Sequence, residues 1–237
     1  MVKGKLQYME SQVFGRTLKS ALSVLNRTRG HGKRFSDQDI KKISWILEWL
    51  QHSLPRRISP SFRDLPLLLF TDGACEGFIN SEIATTTCGA VLLDRRDNKA
   101  LVFGFKVNDS LQLEWKHAGK GKKQLVTEAE LLPVLISRKL WMDRVSGSKI
   151  ITFVDSNPAK FSLIRGTSES ESCEDIIRAI SILDAAEHVW VWYARVPSKS
   201  NPADLPSRLQ FPSSIAGFQV EIFEAPQPSS LKDGKWK

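Results

Sequence analysis

Apolar positions in the first fifty residues recur every three or four places. Leu6, Met9, Val13, Leu18, Leu22 and Leu25 make one such series and predict a single amphipathic helix. A second series follows Ser36, which forms a capping box with Asp39 three residues on, and runs through Ile40, Ile43, Leu47, Leu50 and Leu54. Trp45 and Trp49 stand beside that stripe. Aromatics at helical spacing usually fill interhelix core, and stacking on a nucleobase is the rarer use. Between the two series, Arg27 to Arg34 holds two glycines and five basic residues, Arg29, His31 and Lys33 among them, and reads as a solvated loop. Pro55, Pro60 and Pro66, with Arg56 and Arg57, predict a stiff extended linker, the best boundary in the chain.

Beyond the linker the period changes from helical to strand-like. Leu67 to Phe70 is a short apolar run of the buried-strand kind. Thr85 to Leu93 and Ala100 to Val107 are rich in β-branched and aromatic residues, and the polar Asp94 to Asn98 between them predicts a hairpin turn. A glycine- and lysine-rich loop is expected over Lys116 to Lys123. One long helix should cover Thr127 to Val145, and Lys149 to Val154 should be a strand. Ser156 to Arg165 reads as a short helix closed by Gly166, and Ser172 to Ala186 as a longer one with acids (Glu169, Glu171, Glu174, Asp175) around its N-terminal end. Val189 to Val196 is the last expected strand, followed by a helical turn near Ala203 to Arg208. The order β-β-β-α-β-α-α-β-α predicts an α/β fold, a mixed five-stranded sheet with helices on both faces, preceded by a small helical segment. Three parts result: a basic helical segment over 1–63, an α/β domain over 64–211, and a tail over 212–237 in which no motif is legible.

Charge adds to this picture through its placement. The formal net charge is +8. Residues 1–63 hold 13 Lys and Arg against 4 Asp and Glu, so the first quarter carries the whole positive excess. A basic face on a neutral domain suits a polyanion such as nucleic acid, and a solvated surface that aids solubility is the plainer alternative. No stretch approaches the roughly 18 uncharged apolar residues of a membrane span. No apolar leader follows Met1, and the three cysteines (Cys75, Cys88, Cys173) form neither a zinc motif nor an even disulfide set. An intracellular protein, in nucleus or cytoplasm, is the expectation.

Four acids stand where chemistry could use them. Asp72 closes the first strand, Glu130 lies in the long helix, Asp155 closes the strand Lys149 to Val154, and Asp204 lies in the terminal turn. Each alone has a dull explanation as a turn residue, an exposed helix residue or a cap. Two acids directly after apolar strands of one sheet, however, would sit side by side at its carboxyl edge, where open α/β sheets place ligands. Such like charges raise each other's pKa and need a cation nearby. Carboxylates without histidine or cysteine suit Mg²⁺ or Mn²⁺.

These segments resemble the ribonuclease H family. Phe70-Thr71-Asp72-Gly73-Ala74-Cys75 and Cys88-Gly89-Ala90-Val91-Leu92 look like its first strand and the strand after it. Glu130-Leu131-Leu132, Val154-Asp155-Ser156 and Asn201-Pro202-Ala203-Asp204-Leu205-Pro206-Ser207-Arg208 look like its other signatures. The last is similar to the terminal motif of ribonuclease H domains fused to retroelement reverse transcriptases. The resemblance covers residues from about Leu65 to Leu209, and it implies a ribonuclease H-like sheet cutting the RNA strand of RNA–DNA hybrids.

It also implies that Asp72, Glu130, Asp155 and Asp204 hold two Mg²⁺ ions, with Asp72 bridging, Glu130 and Asp155 each favouring one and Asp204 completing the outer site. Gly73 and Ala74 would leave room for a nucleic acid backbone. Lys116, Lys120, Lys122, Lys123, Lys199 and Arg208 would be candidates for nucleic acid contact, though a solvated lysine loop is the plain alternative for the first four. Residues 1–63 resemble the thumb or connection segment before such domains, which would make the chain the tail of a reverse transcriptase whose polymerase domain is a partner.

Two features qualify the resemblance. Glu128 rivals Glu130, but two apart on a helix they face different ways, and Glu130 precedes Leu131-Leu132 as the family pattern asks. The histidine that many members carry before the last acid is absent from Tyr193 to Ser200. Three competing readings stay open. A 3′→5′ exonuclease would want an acid where Ala74 stands, and a transposase of this fold would lack the helix bearing Glu130. A catalytically inactive nucleic-acid-binding remnant would keep the fold without turnover.

Overall fold

A computed structural model describes residues 2–12, 16–27, 35–52, 65–76, 85–118 and 125–231. The basic segment contains three helices, α1 (Val2–Gln12), α2 (Lys19–Arg27) and α3 (Asp37–His52). The first apolar series is therefore broken into two helices rather than one: Arg16 to Leu18 form a turn, closed by the Lys19 N–H on the Arg16 carbonyl at 3.1 Å. The capping box is as the sequence predicts. The Asp39 N–H donates to Ser36 Oγ at 3.2 Å, and the Ser36 N–H returns to Asp39 Oδ2 at 3.1 Å. The buried stripe of α3 is shifted from the expected one, because Ile46 packs on Leu18 with Ile43, Trp49 and Leu50 while Ile40 and Leu47 face outward. Val13, Leu54, most of the Arg27 to Arg34 loop, and Pro55, Arg56, Arg57 and Pro60 of the linker lie outside the described residues.

The rest of the chain builds one mixed sheet. Three antiparallel strands, β1 (Leu67–Glu76), β2 (Thr85–Asp94) and β3 (Lys99–Lys106), come first. Helix α4 (Asp109–Ala118) follows where no helix was expected. It starts on an Asn108 side chain that accepts the Ser110 N–H at 2.8 Å, and it buries Leu111, Gln112 and Trp115. Lys116 is thus in the last turn of a helix, while Lys120, Lys122 and Lys123 lie outside the described residues. The expected long helix is two, α5 (Val126–Leu140) and α6 (Met142–Val145), interrupted at Trp141. Then come β4 (Lys149–Val154), α7 (Asn157–Arg165), α8 (Glu171–Ala186), β5 (Trp190–Arg195) and, after a 3-10 turn at Ser198–Ser200, α9 (Asp204–Ser207). Helix α7 begins on Ser156, which caps the Ala159 N–H, and ends on Gly166 in the left-handed conformation at φ 70°.

The five expected strands are present, but the sheet has seven. Residues of the presumed tail form β6 (Ser214–Ile215) and β7 (Phe218–Ile222), and the order is β5-β4-β1-β2-β3-β7-β6. β7 runs parallel to β3, pairing Ala100 with Val220 and Val102 with Ile222. Beyond it, Ala225 and Leu231 enter the main core, and Ser230 Oγ bonds Glu114 Oε2 at 2.6 Å. That core lies on one face, where α4, α5, α7 and α8 cover Leu69, Cys88, Ala90, Leu92 and Phe103. On the opposite face a smaller core joins Val91, Leu93, Ala100 and Val102 to Ala203, beside α9, and Ile215.

Two polar ties fix the layers. Arg138 of α5 is buried, with Nε on Asp184 Oδ1 of α8 at 2.8 Å and Nη2 on Thr152 Oγ1 of β4 at 3.1 Å. Arg16, just before α2, donates to the carbonyls of Leu163 and Ile164 at the end of α7, both at 2.8 Å, and lies 5.6 Å over the Tyr193 ring. The basic helical segment is thereby attached to the sheet domain through the C-terminal, electronegative end of a helix.

A chain ending at Phe211 should lose β7 and uncover this part of the core. Its stability should fall on the order of 3–5 kcal/mol, roughly 10 °C in Tm, read by thermal unfolding.

Candidate metal centre

The site is built where α5 meets β1. Pro133 lies inside α5 and has no N–H, so the Ala129 carbonyl lacks its usual helical partner. Cys88 Sγ of β2 donates to that carbonyl at 3.2 Å. Opposite Cys88 in the antiparallel register stands Gly73, and a Cβ there would overlap the carbonyl group of Ala129. Only glycine allows this approach. The bare face of Gly73 thus receives helix α5. The next residue of that helix is Glu130, beside Asp72 of β1.

Asp72 is not at the end of its strand, as the sequence reading had it, because β1 continues to Glu76. It does lie past the last residue of β1 that pairs with β4, where Phe70 faces Phe153. Their rings stack with centroids 4.6 Å apart. Asp155 follows β4 directly, so it emerges beside Asp72. Asp72, Glu130 and Asp155 each offer a carboxylate oxygen within 4.8 Å of the others.

Asp72 and Glu130 are buried and Asp155 is half-buried. Asp204, on α9, stands outside this group; its Oδ1 accepts from Arg208 Nη2 at 3.1 Å. Arg208 is thus in an ion pair with the fourth acid. Lys199 is exposed in the 3-10 turn, and Ala74 is half-buried in β1. Glu128 is held elsewhere: fully buried, it accepts the Ser172 hydroxyl of α8 at 2.5 Å.

Crowding acts on the protonation of the group. Burial is the largest influence on Glu130, followed by its hydrogen bond with Asp155 and the charges of Asp155 and Asp72, and together they push its pKa up to about 10. Burial also raises Asp72, reinforced by Asp155 and Asp204 and opposed by a hydrogen bond from Ser207. At neutral pH Glu130 therefore keeps its proton. One of its buried oxygens, Oε2, has no hydrogen-bond partner among the described residues. An unpaired buried acceptor facing two further carboxylates fits a hard divalent cation, which would replace the proton and satisfy the orphan oxygen.

The loop after β5 contributes residues to which the sequence reading gave no role. Ser207 Oγ donates to Asp72 Oδ2 at 2.5 Å, and Ser198 Oγ donates to Asp155 Oδ2 at 2.6 Å. Asn201 Nδ2 holds the Thr71 carbonyl at 3.0 Å, one residue before Asp72. Gly89 and Gly104 share a cross-strand row with Asp72, and a Cβ on either would run into the Pro206–Ser207 backbone. No local pattern in the sequence marks these roles, because each depends on a partner far along the chain.

No protein-family model and no curated protein sequence matches the chain. Solved structures of ribonucleases H are similar to it. Ribonuclease H1 from the archaeon Halobacterium salinarum is 16% identical with a TM-score of 0.46, covering 61% of this chain and 96% of its own. The N-terminal ribonuclease H domain of a Mycobacterium tuberculosis protein, solved as a fusion with maltose binding protein, is 14% identical at 0.47, covering 61% and 92%. LC11-RNase H1, isolated from compost by a metagenomic approach, was solved with an RNA/DNA hybrid and is 12% identical at 0.43, covering 61% and 95%.

Two substitutions test the geometry. Gly73→Ala should push α5 off β1, lowering Tm and cation affinity together in thermal and calorimetric titrations. Glu130→Gln should act oppositely on stability. Unfolded Glu130 ionises near 4.5 while the folded residue holds its proton to about 10, so between those values this group increasingly favours unfolding of the metal-free protein. Removing the ionisation should stabilise metal-free protein by on the order of 3 kcal/mol at pH 7, roughly 5–10 °C, with no gain at pH 4.

Proposed function

We propose that this protein is a metal-dependent endonuclease that hydrolyses the RNA strand of RNA–DNA hybrids, as the ribonuclease H part of a retroelement reverse transcriptase. The observation that carries the reading is the convergence of Asp72, Glu130 and Asp155 at the edge of the sheet. Three carboxylates this close are costly as structural residues, and nothing cationic among the described residues is hydrogen-bonded to the three side chains. The set suits divalent metal ions, Mg²⁺ or Mn²⁺ by its all-oxygen donors, with Asp204 as a further ligand from α9. When bound, two such ions activate a water and stabilise the leaving oxygen of a phosphodiester.

The protein's own part is to hold the ligands and seat the substrate. α5 and β1 fix Glu130 and Asp72 through the Gly73 contact, and β4 places Asp155. Lys199 is exposed near the site and suits phosphate contact, as does Lys116 further off, and Arg208 would exchange its bond to Asp204 for a phosphate only at some cost. Choice of a hybrid would rest on groove shape and 2′-hydroxyls, so cleavage should be largely independent of sequence. The preference for a hybrid and the retroelement origin rest on the motifs, above all Asn201 to Arg208. On the same basis residues 1–63 are thumb- or connection-like, and a polymerase domain is the partner. Their basic charge and the Arg16 attachment to α7 support a substrate-holding role.

With Mg²⁺ present, the purified chain should cut the RNA strand of a labelled hybrid, and Asp155→Asn should lower the rate by at least about a thousandfold. A hybrid that stays bound and intact at enzyme excess would instead make the chain an inactive binding module. Digestion of single-stranded DNA from its end would make it an exonuclease.

A further inference from the structure

The two serines of the loop after β5 sit where they decide how the carboxylates face a cation. Ser207 is fully buried, and its hydroxyl bonds Asp72 Oδ2 at 2.5 Å and the Asp204 carbonyl at 2.9 Å. Ser198 is exposed, and its hydroxyl bonds Asp155 Oδ2 at 2.6 Å. In each case a hydroxyl holds one carboxylate oxygen, Oδ2, while Asp72 also accepts the Gly73 N–H and Asp155 also bonds Glu130. The serines stand at opposite ends of one short segment whose backbone is pinned at several points. The Asn201 side chain spans from the Thr71 carbonyl, at 3.0 Å, to the Ala203 N–H, at 3.1 Å. The Asn201 N–H bonds the Ser198 carbonyl at 3.0 Å, and the Ser207 N–H bonds the Ala203 carbonyl at 2.9 Å. Below it the bare faces of Gly89 and Gly104 allow the segment to lie directly on the sheet. Arg195 Nε adds a bond to the Asp155 carbonyl at 3.2 Å, fixing the backbone of the acid whose side chain Ser198 holds.

We infer that Ser198 and Ser207 are positioning residues that lock the rotamers of Asp155 and Asp72, so that the loop from Ser198 to Ser207 presets the metal centre before a cation enters. The inference rests on the metal-dependent reading above, but not on what substrate is cut. A hydroxyl on the outer oxygen removes the carboxylate's freedom to turn away, and groups that orient ligands in this way commonly change cation affinity tenfold or more when removed. The two serines differ in a useful respect. Ser207 is enclosed by backbone, so its loss also disturbs packing, whereas Ser198 makes its side-chain bond at the surface and can be changed without touching the core.

The test is Mg²⁺ binding by calorimetry to the full chain, with wild-type uptake as the reference and Mg²⁺ alone as the probe. Ser198→Ala should weaken binding about tenfold with an unchanged Tm of the metal-free protein, and Ser198→Thr, which keeps the hydroxyl, should restore it to within about twofold. Ser207→Ala should weaken it at least as much. In the hybrid assay at limiting Mg²⁺, Ser198→Ala should be slow with an unaltered KM for the hybrid, and excess Mg²⁺ should recover most of the rate. Equal Mg²⁺ affinity in wild type and Ser198→Ala overturns the positioning role, as does a Ser198→Thr variant as weak as Ser198→Ala, or a wild type that takes up no Mg²⁺. The nuclease reading fails separately, if wild type binds Mg²⁺ with the expected serine dependence yet leaves every hybrid intact.

Discussion

Where α5 crosses β1, the backbone of Ala129 occupies the volume that a side chain on residue 73 would need. Most of the site follows from that contact. It requires glycine on the strand, and the Ala129 carbonyl is left without its helical partner because Pro133 cannot donate. A thiol, Cys88, takes the proline's place as donor. The close approach brings Glu130, the next residue of the helix, beside Asp72. The proline and the glycine, each unfavourable in its own element, are compatible here because each removes an obstacle to the same approach.

The approach also concentrates negative charge. Among the described residues no cationic side chain is hydrogen-bonded to the three carboxylates, since Arg208 is engaged with Asp204, Arg195 reaches only the Asp155 carbonyl, and the buried Arg138 is engaged with Asp184 and with Thr152 of β4. The protein instead holds a proton on Glu130, the most thoroughly desolvated acid of the group with an orphan oxygen. Proton and cation are alternatives for the same place. This is the arrangement expected of a site whose stability is sacrificed for a ligand rather than of a salt-bridged structural cluster.

The sequence made local matters legible. Ser36 with Asp39 and Ser156 with Gly166 mark helix ends through interactions within a few residues, and the structure has helices at those places. Apolar runs located the five strands β1 to β5 for the same reason. What was illegible depends on partners far along the chain. The first helical series looks continuous because its apolar spacing persists across the turn at Arg16, whose side chain instead reaches the last carbonyls of α7. The stripe on α3 shifts by a few residues because Leu18 selects Ile46. Helix α4 is short, and its apolar positions follow no repeat long enough to stand out.

β7 was not read from the sequence. Phe218, Val220 and Ile222 alternate after Gly217, which is in the left-handed conformation at φ 84°, but a short strand that is mostly exposed has little apolar signal. At the site, the acids stood out by type and setting. The serines that hold two of them did not, since a hydroxyl in a polar loop has no distinguishing pattern until its partner is known.

The position of α9 joins these themes. It is a single helical turn, too short to hold itself, and the bare faces of Gly89 and Gly104 let it lie against β2 and β3 while Ala203 joins the core there. The tail then continues from α9 into β6 and β7, which close the same side of the sheet. The turn that bears Asp204 and Ser207 therefore lies on the glycine row, and Ala203 just before it shares a small core with Ile215 of β6, although the turn borders a cluster of carboxylates. A residue that steers a carboxylate must be more rigid than the carboxylate, and this turn gains its rigidity from apolar packing rather than from the polar site it serves. A tail without a legible motif thus belongs to the fold: through Ile215 it packs on Ala203, at the start of the turn that bears Asp204 and Ser207.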